Sequence, residues 1–111
     1  MWMIDPKLLC RQHLLGEHSE LHKFIPSFNK KYKINNRVSP VVQIELSNYE
    51  KRHNDLAAEM LRRGFNHKSP LTAPDFSYLP LEQYSAKVDI NISLQDLVNR
   101  CSECKNRINS L

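Results

Sequence analysis

A chain of 111 residues, 41% apolar and 25% charged, has the length of one domain and the composition of an ordinary folded protein. Its two glycines, Gly16 and Gly64, are too few for the glycine-rich phosphate loops of nucleotide-binding proteins. No apolar run approaches the about 18 residues of a membrane helix, and the first residues lack the features of a signal peptide. Because three cysteines are an odd number for a disulfide framework, we expect a reducing, intracellular setting.

The net charge of +4 includes a basic stretch from Lys23 to Arg37 that contains no acidic residue. Its members are Lys23, Lys30, Lys31, Lys33 and Arg37, with Phe24, Phe28 and Tyr32 among them. Cations neutralise phosphates and aromatic rings stack on bases, so this composition is typical of nucleic-acid binding. The alternative is a solvated basic loop whose phenylalanines belong to the core.

A first helix is predicted from Asp5-Pro6 to about Phe24. Asp accepts hydrogen bonds from the free amides of a first turn, Pro is tolerated at the first helical position, and Pro26 ends or kinks the helix. The apolar residues recur at helical spacing on one side, at Leu14, Leu21, Phe24 and Phe28.

A second helix is predicted to begin at Ser47, since Ser47 and Glu50 form a capping-box pattern, and to end at a left-handed Gly64. Its apolar face comprises Tyr49, His53, Leu56, Ala57, Met60 and Leu61.

A third helix is predicted from near Ser93, and irregular connections fill residues 26–46 and 65–92. The stripe of this helix comprises Leu94, Leu97, Val98, Cys101 and Ile108. A short strand at residues 41–46 is an alternative, although no partner strand is visible. The pattern therefore predicts an all-α fold: a compact single domain, residues 1–111, of three main helices with long irregular connections.

Several polar residues have spacings that suit chemistry. His13, Glu17 and Glu20 lie in one row on the first helix, where a carboxylate near cations can transfer protons or stabilise positive charge. The alternative is a polar face in solvent. After the second helix, His67 together with Arg62 and Arg63 suits phosphate contact, or His67 is simply a loop residue.

Possible metal ligands occur in pairs. His18 and His22 are one helical turn apart, Cys101 and Cys104 form a CxxC motif, and Cys10 with His13 is a further pair. Cysteine on an apolar stripe, as at Cys101, more commonly acts as a small hydrophobic residue. We therefore assign no metal ligands from the sequence.

Two blocks resemble a known family. Residues 12–21, QHLLGEHSEL, and residues 51–66, which end in RRGFN, are similar to the pyrimidine-dimer DNA glycosylases of the phage endonuclease V type. The resemblance implies a compact, largely helical enzyme without a cofactor. In that family the amino-terminal amine attacks the anomeric sugar carbon, releases the base through a Schiff base and then nicks the strand by elimination. The essential glutamate of the family matches Glu20, and the histidine of the same block matches His13. The family's basic residue three positions after the glutamate matches Lys23.

Some positions depart from the family pattern. We expect the bulky Trp2 to prevent removal of the initiator, so that the free amine would belong to Met1. Ser19 stands where the family has an arginine before the glutamate. The aromatic carboxyl-terminal tail of the family is absent. An α-amino group has an ordinary pKa of about 7.7, well below that of lysine, which suits it as a nucleophile.

We therefore expect a DNA glycosylase with abasic-site lyase activity on pyrimidine dimers or modified bases, with Met1 and Glu20 as catalytic residues. The expected DNA contacts are His13, Lys23, Lys30, Lys31, Lys33, Arg37, Arg62, Arg63 and His67. The expected partner is duplex DNA, with no membrane, no cofactor and a monomeric state, in the cytoplasm or, for a phage protein, the host cytoplasm. The alternative is a non-catalytic DNA-binding or partner-binding module of the same fold, with zinc at the histidines and cysteines.

Geometry adds a constraint. In a straight helix from Pro6, Glu20 would lie about 21 Å from the helix start at 1.5 Å per residue. Five extended residues span at most about 17 Å. For the Met1 amine to reach Glu20, the terminus must fold back or the helix must break near Gln12.

Overall fold

A computed structural model gives the structure of residues 1–66 and 69–110, which form helices and connecting loops and contain no strand. The helices are α1 (Arg11–Asn29), α2 (Asn35–Val38), α3 (Tyr49–Arg62), α4 (Leu81–Tyr84), α5 (Ile90–Arg100) and α6 (Ser102–Asn109), with 3-10 turns at Pro6–Leu8 and Leu46–Asn48. The all-α prediction is confirmed. Four of these helices, rather than three, have eight residues or more.

The first helix begins later than predicted. Asp5 caps the separate turn Pro6–Leu8, Leu9 is extended, and α1 starts at Arg11 with Cys10 as its cap. The guanidinium of Arg63 donates to the carbonyls of Pro6 and Leu9, at 3.2 and 2.7 Å, and so holds this turn out of helical geometry. The helix is therefore interrupted at Leu9 and Cys10, close to Gln12, which is one of the two alternatives that the distance argument allowed.

The end of α1 also differs from the prediction, because Pro26 lies inside the helix, which continues to Asn29. Phe28 accounts for the extension, since its buried ring packs edge-on against Tyr49 and Phe76 with centroid distances of 5.6 and 4.9 Å. Burial of this ring outweighs the one backbone hydrogen bond that a proline removes.

The capping box predicted at Ser47 is wrong. The turn Leu46–Asn48 leads directly into α3 at Tyr49, and Ser47 Oγ instead accepts a hydrogen bond from Lys87 at 2.7 Å. The predicted end is confirmed: Gly64 has φ +85°, and the Phe65 N–H donates to the Met60 carbonyl at 2.8 Å, as in a Schellman motif.

The predicted third helix is two helices. Asp89 caps α5, and the chain becomes extended at Cys101, whose Sγ accepts from the Cys104 N–H and caps α6. A cysteine read as part of one stripe therefore marks the junction between two helices.

The core lies between α1 and α3, while α3 and α6 both contact the first turn and α5 packs on α6. Fully buried side chains supply its centre: Leu9, Leu14, Leu21, Ile44, Tyr49, Leu56, Leu97 and Cys104. Among the helices at 1–66 and 69–110, none is long and apolar enough to cross a membrane.

Candidate active site

The amino terminus folds back across the molecule. The Met1 ammonium donates to the Gln43 carbonyl at 2.9 Å, and the Glu45 N–H contacts Met1 Sδ at 3.3 Å. The reversal passes through Met3, which adopts the left-handed φ of 60° that a side chain disfavours. Neighbouring contacts must therefore hold this segment in place.

A buried ion pair supplies those contacts. Glu17 and Arg52 are each 3% exposed and are joined by two hydrogen bonds, Nε–Oε2 at 2.6 Å and Nη2–Oε1 at 2.9 Å. Glu17 also accepts from the Trp2 N–H, and Arg52 donates to the Ile4 carbonyl at 2.6 Å. We call these groups the amino-terminal clamp. The sequence analysis missed Arg52, although its position three residues after Tyr49 and four before Leu56 places it on the buried face of α3.

The clamp holds the amino terminus so that Met1 lines a cleft of about 630 Å³, which Glu20 also lines. The loop 40–43 forms one wall and α5 contributes the other through Ile92, Ser93, Asp96 and Arg100. Glu20 itself is exposed. Burial, and then the charge of Glu20, raises the pKa of Tyr49, whose hydroxyl donates to the Leu21 carbonyl. The two predicted catalytic residues therefore share one cleft.

A larger cleft of about 740 Å³ lies elsewhere, between the start of α3 and residues 73–84. Neither Met1 nor Glu20 lines it, and its walls include Glu50, Lys51 and Asp75. We therefore take the cleft at Met1 as the candidate site on chemical grounds rather than on size.

One cation of the basic stretch, Arg37, lies near the Met1 cleft. The five cations of the stretch are exposed, and the Arg37 guanidinium lies over the ring of Phe24, one turn after Glu20, at 4.9 Å from the centroid. The same guanidinium is 3.5 Å from the Gln43 side chain, and the Gln43 carbonyl binds the Met1 amine. The cations that were predicted to contact DNA at Lys23 and Arg37 thus lie near the predicted catalytic residues.

The arginines that end α3 are differently engaged. Glu59, a buried carboxylate, accepts two hydrogen bonds from Arg62 at 2.6 Å and one from Arg63 at 2.7 Å. These hydrogen bonds, from Arg62 first, lower the pKa of Glu59 to about 2. The Arg63 side chain is only 11% exposed and anchors the first turn, so its contacts favour a structural role over DNA binding. The predicted contact His67 lies outside the described residues.

His13, which was predicted to contact DNA, lies next to two cysteines. Its Nδ1 lies 3.1 Å from Cys10 Sγ and 3.6 Å from Cys104 Sγ, and its ring meets the edge of Trp2. Burial raises the pKa of the Cys104 thiol to about 12, whereas the hydrogen bond from the Cys104 N–H lowers the pKa of Cys101. The Cys10, His13, Cys101 and Cys104 ligand atoms lie within 4.8 Å of one another.

A second group that could hold a metal ion joins α1 to α3. His18 Nε2 and His22 Nε2 lie 3.2 and 3.1 Å from His53 Nε2. The helical spacing of His18 and His22 was recognised in the sequence. The approach of His53 depends on the packing of α3 against α1.

Comparison with known families decides what kind of protein contains this cleft. The family model described as pyrimidine dimer DNA glycosylase matches residues 1–73. The chain belongs to this family. No curated protein and no solved structure matches it. Because the family is one of DNA-repair glycosylases, the substrate of this glycosylase-family protein is DNA. The matched range contains Met1, Glu20 and the basic stretch, whereas α5 and α6 lie beyond it.

Proposed function

We propose that this protein is a DNA glycosylase with abasic-site lyase activity on duplex DNA carrying pyrimidine dimers or other modified bases. The observation that carries the proposal is that Met1 and Glu20 line one cleft, with Arg37 of the basic stretch next to the cleft residue Gln43. An amine and a carboxylate are the two groups that Schiff-base strand cleavage requires.

In the proposed reaction the neutral Met1 amine attacks C1′ of the damaged nucleotide. A C1′–N bond forms, the glycosidic bond breaks, and the departing base takes the bonding electrons and then a proton. The Gln43 carbonyl accepts one amine N–H, which orients the nitrogen lone pair. Ring opening yields the cationic Schiff base. Removal of a C2′ proton then expels the 3′ phosphate and nicks the strand.

Glu20 has two tasks in this scheme. Its charge stabilises the cationic sugar and Schiff base, and its carboxylate carries protons during ring opening and elimination. Its exposure to the cleft leaves it accessible to substrate. A base must leave the duplex stack for such chemistry, and the exposed apolar side chains of Val41 and Ile92 offer walls against which it can rest.

Borohydride trapping on abasic duplex DNA tests the amine. We expect wild-type protein to become covalently attached to DNA. A chain extended by Gly-Ser before Met1 should lose trapping, because its terminal amine is displaced from the Gln43 carbonyl. The same extension after Leu111 should leave trapping unchanged. Trapping at the wild-type level in the amino-terminally extended chain would show that the Met1 amine is not the nucleophile. Salt-dependent DNA binding without any trapping would favour the non-catalytic module.

A further inference from the structure

Four ligand-type side chains converge where the start of α1 meets the start of α6. They come from two chain segments, because Cys10 and Cys101 are 91 positions apart. The three Sγ atoms and His13 Nδ1 all lie within 4.8 Å of one another. Side chains this distant in sequence meet only because the helices bring them together.

The two halves of this cluster have the same local design. Cys10 caps α1 and His13 lies in its first turn; Cys101 caps α6 and Cys104 lies in its first turn. In each half the capping Sγ accepts a backbone N–H three residues later, at 3.4 Å. The Cys10 N–H in turn donates to Cys104 Sγ at 3.3 Å. Backbone donors of this kind stabilise the thiolate, which is the form of cysteine that binds metal ions.

Two of the separations match those of a tetrahedral metal site. Bonds of about 2.3 Å to sulfur and 2.0 Å to nitrogen around zinc imply S···S edges of about 3.8 Å and S···N edges of about 3.5 Å. Cys10 Sγ and Cys101 Sγ are 3.8 Å apart, and Cys104 Sγ and His13 Nδ1 are 3.6 Å apart. The Cys10 Sγ to His13 Nδ1 distance of 3.1 Å is shorter and would lengthen slightly around an ion.

A disulfide does not account for the cluster. All three cysteines are free thiols, and the Cys10–Cys101 separation of 3.8 Å far exceeds an S–S bond of about 2.05 Å. Three thiols also leave one over after any pairing. Three cysteines and one histidine are, by contrast, an ordinary complete ligand set for structural zinc.

We propose that Cys10, His13, Cys101 and Cys104 bind a structural zinc ion. Four protein ligands complete the coordination shell, so the ion joins α1 to the α5–α6 junction and leaves no position for substrate. The sequence alone had suggested the pairs Cys10 with His13 and Cys101 with Cys104 as possible ligands without assigning a metal site.

The proposed ion also braces the cleft. The edge of Trp2 packs on the ring of His13 with a centroid distance of 5.9 Å, and the guanidinium of Arg100, the residue before Cys101, lies 5.7 Å from the Trp2 ring centroid. Trp2 and Arg100 both line the Met1 cleft. Zinc would therefore fix the position of one wall of the cleft from behind.

Cobalt substitution tests the ligand set directly. The full chain is loaded with Co²⁺ in place of zinc, and its absorption spectrum is recorded. We expect thiolate-to-cobalt charge-transfer bands in the near ultraviolet together with the visible bands of a tetrahedral ion. A cobalt complex without thiolate bands would overturn the proposal, because the ion would then be bound elsewhere, for example by His18, His22 and His53.

Matched variants locate the site. Cys101→Ser is preferred because Cys101 is half-buried, whereas Cys10 and Cys104 are buried and their replacement endangers the fold. Relative to wild type, this variant should lose about one zinc equivalent per chain and the thiolate bands. His22→Asn, which changes a half-buried histidine of α1 outside the cluster, should keep both. Equal zinc content in wild type and the folded Cys101→Ser variant would contradict the proposal.

Stability provides an independent measurement that does not need a variant. Removing the metal from wild type with a strong chelator should lower Tm by more than about 10 °C, because ion binding is coupled to folding, and added zinc should restore it. An unchanged Tm in chelator, with no zinc found in the untreated protein, would overturn the proposal as well.

Discussion

The amino-terminal clamp and the cleft each depend on a glutamate of α1, three residues apart, but the surroundings of the two carboxylates are opposite. Glu17 is buried and accepts hydrogen bonds from Arg52 and from the Trp2 N–H, and these hydrogen bonds hold the amino-terminal segment against α1 and α3. Glu20 is exposed and lines the same cleft as Met1. Two chemically identical residues one helical turn apart therefore have different surroundings, which give Glu17 a structural role and leave Glu20 available for the catalytic role proposed for it.

Replacing Glu20 by Gln tests the proposed catalytic role of Glu20 and has the largest expected effect. The amide keeps the size of the side chain but removes its charge and its titratable proton. We expect nicking of abasic duplex DNA to fall by about 10²- to 10⁴-fold, while DNA binding is retained and stability changes by less than about 0.5 kcal/mol. Strand nicking and urea denaturation measure the two effects. Wild-type nicking would reject the catalytic role, and equal loss of nicking and binding would make Glu20 structural.

Replacing Arg52 by Met breaks the clamp. It leaves the Glu17 carboxylate buried without its cation and the Ile4 carbonyl without its donor. Loss of one partner of a buried ion pair costs about 3–5 kcal/mol, which urea denaturation should show. Lys51→Ala on the exposed face of the same helix, where Lys51 pairs with Asp55 at 2.8 Å, should cost less than about 1 kcal/mol. Similar losses in both variants would mean that the clamp does not hold the fold.

Glu59 extends the contrast between buried and exposed carboxylates to acid pH. Its pKa in the folded chain is about 2, below the ordinary value, so its contribution is complete above about pH 4.5 and is lost as the pH falls towards 2. The loss amounts to about 3 kcal/mol at most. Urea denaturation across this pH range should show it in wild type and in Glu20→Gln, but much less in Glu59→Gln. An unchanged acid dependence in Glu59→Gln would contradict the prediction.

The basic stretch provides the smallest effect and compares clustered cations with cations dispersed along the chain. A footprint of four to six phosphates gives a log-log salt slope of roughly −4 to −5 for duplex DNA affinity. Replacing Lys30, Lys31 and Lys33 by Ala should flatten it by at most about 2.7 without unfolding the chain. The charge-matched variant with Ala at Lys7, Lys51 and Lys105, which are also exposed, should retain the slope. If the two triple variants behave alike, net charge alone governs binding.

Local rules predicted much of the helical structure. The burial of Leu14, Leu21 and Phe28 and the left-handed end of α3 at Gly64 followed from spacing and from the conformational freedom of glycine. Two of the boundaries that were wrong share one physical cause, because partners distant in sequence contact the residues there. Arg63 holds the first turn apart from α1, and Lys87 takes the Ser47 hydroxyl.

The sequence by itself determined the helical class, the basic stretch, and the resemblance that singled out Met1 and Glu20. It could not reveal that Arg52 would pair with Glu17, that His13 would meet three cysteines, or that α5 would form a wall of the Met1 cleft. Helical periodicity reports which residues share a face, since that depends on neighbours three and four positions away. Which faces meet depends on how the helices pack, and only the tertiary structure fixes it.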